Sequence, residues 1–250
     1  MINTLKILKH QGIQYIKDPT KVELKEPFRG RPVISDEQID EAGLVKLCPT
    51  NSISSNPVMI DLGKCTFCGE CAFKFPGKIK FTPDYKIFVN NRSSLIIKEG
   101  DNKPLELNPE LIRKEISSFF NDSLKLRQVS AAGDNSAELE LNASGNVNFD
   151  IGRYGIEFVA SPRHADGLVI TGPISYNMAE PLQMCYDALP APKIIILYGV
   201  DAISGGIFTG SPALNRKFLE RYKVDLYVPG NPPHPLTFIN GILELIRKRT

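Results

Sequence analysis

Three cysteines fall within seven residues, at Cys65-Thr66-Phe67-Cys68-Gly69-Glu70-Cys71, and a fourth, Cys48, stands seventeen positions upstream, immediately before Pro49. No other feature constrains the chain as tightly. Thiols at C-x2-C-x2-C spacing wrap one face of an iron–sulfur cube, and the fourth ligand comes from a distant cysteine followed by proline. Gly69 eases the tight turn between the second and third thiol. The pattern predicts one [4Fe–4S] cluster on Cys48, Cys65, Cys68 and Cys71. A structural zinc site would instead use two separated C-x2-C pairs. The fifth cysteine, Cys185, stands alone near Leu182, Met184 and Leu189 and reads as an inert buried thiol. An odd count, with no secretory signal legible in Met1 to Lys17, argues against a disulfide framework.

The missing cysteines are equally informative. A two-cluster ferredoxin carries C-x3-C-P after its third thiol, where this chain has Cys71-Ala72-Phe73-Lys74-Phe75-Pro76. The proline persists and the cysteine is Phe75. Counting back from Cys48 at the motif's spacing gives Leu44, Glu41 and Gln38, none of them a thiol. The four ligands of a second cluster are absent as a set.

The chain has 250 residues, 42% hydrophobic and 23% charged, which suits one large or two small soluble domains. A net charge of +2 is too slight to argue for nucleic acid or an anionic membrane surface. No apolar run approaches the roughly 20 residues needed to cross a bilayer. The expectation is a cytoplasmic protein that meets a membrane only through partners. Residues 1–34 read as a lead-in, a short basic amphipathic stretch followed by Glu26-Pro27-Phe28-Arg29-Gly30-Arg31-Pro32. Ser94 to Lys98 reads as a strand and Gly100 to Lys103 as a turn. A helix then opens at Pro109, with Leu111, Ile112, Ile116, Phe119 and Phe120 at helical spacing. The small polar run Ala131 to Ser136 suggests a domain boundary. Beyond it, apolar runs at Gly167–Ile170, Lys193–Leu197 and Val224–Val228 alternate with helical stretches at Met178–Leu189, Pro212–Tyr222 and Pro235–Lys248. Such runs are what a parallel sheet covered on both faces requires. The fold class expected is an α+β ferredoxin-like domain (1–100) and a helical linker (101–130), followed by an α/β flavodoxin-like domain with a parallel sheet (131–250).

Two stretches carry a family resemblance. Pro27-Phe28-Arg29-Gly30-Arg31-Pro32, placed before the cysteine motif, resembles the ferredoxin-type subunit of membrane-bound [NiFe] hydrogenases and of respiratory complex I. The C-terminal half resembles the small subunit of energy-converting, formate hydrogenlyase-type hydrogenases and the 20 kDa subunit of complex I. The residues concerned are Arg153-Tyr154-Gly155-Ile156, Val159 to Asp166, Val169-Ile170-Thr171-Gly172-Pro173, Ser204 to Phe208 and Val228-Pro229-Gly230-Asn231-Pro232-Pro233. The chain thus resembles a fusion of two subunits that are usually separate. In that family the small subunit holds its own proximal [4Fe–4S] cluster through a C-x2-C-E turn, a G-x-C-A turn and P-G-C-P-P. Here those turns align with Asp134-Asn135-Ser136-Ala137-Glu138, Gly199-Val200-Asp201-Ala202 and Pro229-Gly230-Asn231-Pro232-Pro233. Asn135 and Glu138 fit the pattern, but all four thiols are gone, with Asp201 and Asn231 at two of their positions. Oxygen donors replace thiolates poorly on iron–sulfur clusters, so the expectation is that no proximal cluster is bound. An oxygen-ligated metal at Asp134, Asp201 and Asn231 is the weaker alternative.

Other motifs have plainer readings. Gly199 to Gly210 matches neither a Walker A loop nor a dinucleotide fingerprint. Ser161-Pro162-Arg163-His164-Ala165-Asp166 places Arg, His and Asp together, but the resemblance puts this segment at the large-subunit interface, and no nucleophile accompanies it. His234, among prolines, reads as a surface residue, and Arg247-Lys248-Arg249 suits a helix C-terminus. The functional expectation is a non-catalytic electron-transfer subunit with one cluster. Its implied partners are a large-subunit homologue, membrane subunits and a soluble ferredoxin. The alternatives are a scaffold whose cluster is structural, and an enzyme holding flavin or nucleotide at the strand ends.

Overall fold

The computed structural model describes residues 2–120 and 123–246. Arg247, Lys248 and Arg249, read as complementing a helix dipole, lie outside the described residues. The chain opens with helix α1 (Ile2–Gln11), which buries none of its residues. The N-terminal half then runs β1 (Pro32–Ile34), α2 (Glu41–Leu47), β2 (Ile53–Ser54), β3 (Met59–Asp61), α3 (Glu70–Lys74), β4 (Ile79–Phe81) and β5 (Ile96–Lys98). Strand β1 pairs antiparallel with β4, and β2, β3 and β5 form a second antiparallel sheet. Ile34, Leu44, Ile60, Leu62, Ile79 and Ile97 fill the space between them.

A short helix α4 (Lys114–Phe119) leads into the second half. This comprises β6 (Leu124–Ser130), α5 (Ser136–Ala143), β7 (Ile156–Phe158), β8 (Gly167–Thr171), α6 (Tyr176–Asp187), β9 (Ile194–Tyr198), α7 (Val200–Ser204), α8 (Lys217–Arg221), β10 (Leu226–Val228) and α9 (Pro235–Ile246). Its five strands are all parallel, in the order β10-β9-β8-β6-β7. In chain order this is the 2-1-3-4-5 arrangement of a flavodoxin-like α/β sheet. Every residue of β8 and β9 is buried. Alternate positions serve two cores: Val169, Ile194 and Ile196 pack with Leu141 of α5 and Phe238 and Ile242 of α9, while Leu168, Ile195 and Leu197 pack with Leu182 of α6 and Phe218 of α8. That double coverage explains the unbroken apolar runs in the sequence.

Four local departures from the sequence reading have physical causes. Strand β6 lies inside the sheet, between β8 and β7, so the sheet takes in residues before 131. Its Leu124-Lys125-Leu126-Arg127-Gln128-Val129 alternation lacks the continuous apolar signal of its neighbours. Strand β5 starts only at Ile96, because Asn91 caps a 3-10 turn over Arg92–Leu95. The helix expected from Pro109 breaks into a 3-10 turn, Pro109–Leu111, and α4. Between them Arg113 is extended, and its guanidinium turns inward to Asp225, with Nε 3.0 Å from Oδ1 and Nη2 2.9 Å from Oδ2. The helix expected from Pro212 is only α8, because Arg216 is drawn inward to donate to the carbonyls of Pro173, Asp201, Ala202 and Ile203.

The two halves interlock through α9. Thr237 Oγ1 donates to Tyr85 O at 2.8 Å, Asn240 Nδ2 donates to Pro19 O at 2.9 Å, and Tyr85 OH donates to the same Pro19 carbonyl at 2.9 Å. Val89 and Tyr227 exchange backbone hydrogen bonds, extending the β10 edge into the N-terminal half. Gly241 gives Phe88 its place, since a Cβ there would sit 3.0 Å from the ring.

Asp225 is 3% exposed at its side chain and accepts from Ile195 N as well as from Arg113. Removing the guanidinium in R113A strands a buried carboxylate and should cost about 3 kcal/mol at neutral pH. Burial already holds Asp225 above the ordinary carboxylate range, against the pull of the Ile195 amide and Arg113. A carboxyl raised in the folded state supports the fold only while protonated, a contribution present at low pH and lost as pH climbs through its folded value. The R113A deficit should therefore narrow as pH falls from about 7 toward 4, as urea-unfolding midpoints would record.

Candidate functional site

Cys48 is the C-cap of α2, a helix started by Asp40, whose side chain accepts from Gly43 N. Cys71 is the second residue of α3, and Cys65 and Cys68 lie on the loop that enters it. Although drawn from separate elements, the four thiols line one pocket with Leu47, Ile53, Ile60 and Phe81. Cys65 and Cys71 are only 7% and 8% exposed, Cys48 is half-buried, and Cys68 reaches the surface. None of the four is in a disulfide.

The pocket supplies donors to sulfur. Cys48 Sγ accepts from Ser52 N at 3.3 Å and shares hydrogen bonds with Ser52 Oγ at 3.0 Å and Thr50 Oγ1 at 3.7 Å. Cys65 Sγ accepts from Phe67 N at 3.4 Å. Burial pushes the Cys65 thiol up to about 12 and the Cys71 thiol up to about 11, with neighbouring thiols adding to both. Burial also presses Cys48 upward, but Ser52 and Thr50 outweigh it and its thiol lies below the usual range. Burial disfavours the ionised form of both thiols, while the N–H donors at Cys48 and Cys65 suit sulfur carrying charge. Among the described residues no three His, Cys, Asp or Glu side chains converge as ligands of a single ion do. Four cysteine sulfurs are the kind of donor set an iron–sulfur cube takes.

The positions read as a lost second cluster are built into the fold. Leu44 is fully buried, and Phe75 packs against the same core. Glu41 accepts from Asn56 N at 3.2 Å, and Gln38 is exposed.

The three turns aligned with the family's proximal site converge at the C-terminal ends of the parallel strands. Gly199 lies against Ala137, Pro233 and the Gly230 carbonyl, and Val200 N donates to that carbonyl at 3.0 Å. Glu138, 6% exposed, joins β6 to β8 at the point where strand order reverses, where such sheets bind ligands. Its Oε1 accepts from Ser130 Oγ at 2.7 Å and Thr171 Oγ1 at 2.6 Å, while Oε2 is buried without a hydrogen bond. Asp134 folds back to accept from Ser136 Oγ and N, which lowers its pKa. Burial raises Asp201, as do Asp134 and Glu138, against the attraction of Arg216. Asn231 is exposed. It lines a crevice whose opposite wall is Thr66, Phe67 and Cys68, so the cysteine loop and the P-G-N-P-P turn face one another.

The remaining candidates separate clearly. Arg163, His164 and Asp166 precede β8, at the opposite end of the sheet from the thiols, and line a crevice with Lys125 and Phe119. Cys185 is half-buried on α6 and raised by burial. His234, expected at the surface, is enclosed by the rings of Phe28 at 5.3 Å, Phe149 at 5.8 Å and Tyr85 at 6.5 Å. Its Nδ1 accepts from Leu236 N, and burial lowers its pKa. Sequence reasoning missed Ser52, Phe67 and Arg29, whose roles depend on backbone geometry and carry no spacing signal.

A histidine lowered in the folded state stabilises the fold above its unfolded value, and that support is lost as pH falls. The thermal midpoint of the wild type should drop between pH 7 and about 5, and His234→Phe should flatten that slope. The variant should also lose about 1 kcal/mol at neutral pH with the bond from Leu236 N.

Residues 135–245 match the family described as NADH ubiquinone oxidoreductase, 20 Kd subunit. The chain is 32% identical over 134 residues to the probable membrane-bound hydrogenase subunit mbhJ of Pyrococcus furiosus, a match covering 54% of this chain and 80% of that protein. It is 40% identical over 107 residues to an NADH-quinone oxidoreductase subunit of Desulfovibrio desulfuricans, covering 43% of this chain and 58% of the relative. With an F(420)H(2) dehydrogenase subunit of Methanosarcina mazei it shares 39% identity over 110 residues, 44% of this chain and 60% of the relative. In the last two cases the chain spans less than two thirds of the relative. Among the described residues no helix is long and apolar enough to cross a membrane.

Proposed function

The chain belongs, through its C-terminal half, to the NADH ubiquinone oxidoreductase 20 Kd subunit family, and on that premise we propose that it is an iron–sulfur electron-transfer subunit of a membrane-associated, hydrogenase-like or complex I-like oxidoreductase. The observation that carries this reading is the single pocket lined by Cys48, Cys65, Cys68 and Cys71. A [4Fe–4S] cluster bound there would supply one-electron storage. The chain's own contribution is to exclude water with Leu47, Ile53, Ile60 and Phe81, to direct amide donors at sulfur, and to leave Cys68 at the surface where a partner can approach. Two antiparallel sheets with a helix carrying or following each cysteine group support a ferredoxin-like N-terminal half fused to the small-subunit domain.

The same reading assigns a large-subunit homologue and membrane subunits as partners, with a soluble ferredoxin as a further one. The names of the relatives, subunits of a membrane-bound hydrogenase and of a quinone-linked dehydrogenase, support a place peripheral to a cytoplasmic membrane. The proximal site holds no cluster in this proposal, because Asp201 and Asn231 stand where the family's thiols would be. Electrons that reach Cys68 therefore leave by a route other than the family's usual last step.

Iron and acid-labile sulfide after anaerobic purification should each come to about four per chain. About eight would place a cluster in the second half and overturn that part of the proposal. On EPR-monitored titration the cluster should reduce at ferredoxin-range potentials. A cluster that resists reduction would leave a structural scaffold, and bound flavin or nucleotide would favour the enzyme alternative.

A further inference from the structure

The Pro27-Phe28-Arg29-Gly30-Arg31-Pro32 segment is pinned at nearly every residue. Phe28 packs edge-on against His234 of the other half. Gly30 N donates to Thr82 O at 2.7 Å, and a Cβ at Gly30 would fall 1.9 Å from the Asp84 carbonyl oxygen, so only glycine fits. Arg31 N donates to Asp84 O, and the Arg31 guanidinium, buried, donates to Asp101 O at 2.8 Å. Arg29 is thereby held between two fixed neighbours, and its side chain does not go to solvent. Its Nε donates to Phe67 O at 2.6 Å, across 38 residues of sequence.

Phe67 is the residue between Thr66 and Cys68, and it has φ +54°, in the left-handed region that a bulky side chain seldom adopts. That conformation joins the Phe67–Cys68 peptide, held by Arg29, to the preceding one, whose N–H donates to Cys65 Sγ. Gly69, two residues on, is also left-handed, at φ +85°, and a Cβ there would come within 3.2 Å of Arg29 Cδ. The loop thus has two strained or permissive positions, and the Arg29 side chain touches both. Arg29 and Cys68 also line the same two crevices.

We infer that Arg29 is a positioning residue for the cysteine loop: it holds the Phe67 carbonyl, and so the Phe67–Cys68 peptide that adjoins the one whose N–H points at Cys65 sulfur, and it brings a positive charge to the crevices that Cys68 lines. This rests on the cluster reading of the four thiols. A nearby cation and an N–H donor to sulfur both favour the more negative, reduced state, so Arg29 raises the potential at which the site accepts one electron.

The test uses the full chain, purified anaerobically, with iron and sulfide analysis followed by EPR-monitored titration with dithionite as the one-electron reductant. If the wild type carries no iron and sulfide, the cluster reading itself fails. If it is loaded, R29Q should load equally and titrate at a lower potential with altered EPR line positions. R29K retains the charge but not the planar Nε donor, so it should shift in the same direction by less and also alter the lines. A loaded R29Q with wild-type potential and lines overturns the inference. Should R29Q fail to load, an R29K that matches the wild type in both readouts overturns it equally.

Discussion

Buried polar contacts made by α9 hold the molecule's geometry. Thr237 and Asn240 lie inside the protein, where an unmet donor costs more than a met one gains, about 1 to 3 kcal/mol against about 1. Their acceptors, Tyr85 O and Pro19 O, belong to the other half of the chain. The N-terminal unit therefore does not hang from a linker. Its sheet meets the β10 edge at Val89, and its lead-in reaches both the thiol loop and the His234 cage. These bonds set the thiol pocket and the P-G-N-P-P turn on facing walls of one crevice.

On the far wall the family frame persists without its thiols. Asp134 satisfies itself on Ser136, Asp201 is raised by burial and by like charges, and Glu138 commits one oxygen to Ser130 and Thr171. Each acid thus has a local arrangement of its own, and among the described residues the three do not converge as the ligands of one ion. Glu138 still joins β6 and β8, so its place at the strand switch makes structural sense without a metal. At two of the N-terminal positions read as a second cluster's, Leu44 is in the core and Phe75 packs against it. Apolar side chains suit that interior because burying them needs no partner.

Legibility in the sequence followed the range of the interaction. The cysteine spacing is local, and a thiol pocket follows from it; the apolar runs of β8 and β9 announce a doubly covered sheet. Strand β6 was hidden because its polar positions, Lys125, Arg127 and Gln128, interrupt the pattern. Arg113 and Arg216 broke expected helices by turning toward carbonyl and carboxylate groups far along the chain, which propensity does not encode. His234 read as exposed because its prolines suggest a loop, whereas its three aromatic neighbours come from distant segments. The role of Arg29 could not be read from spacing either, because its partner is a backbone carbonyl 38 residues away.

The Asn240–Pro19 bond joins positions 221 residues apart. On a ribosome it forms only after Asn240 has emerged, whereas all four cysteines are synthesised well before that. Contacts of such long range are also slow to close. The thiols consequently spend the interval of synthesis in a half-protein whose loop lacks its final neighbours.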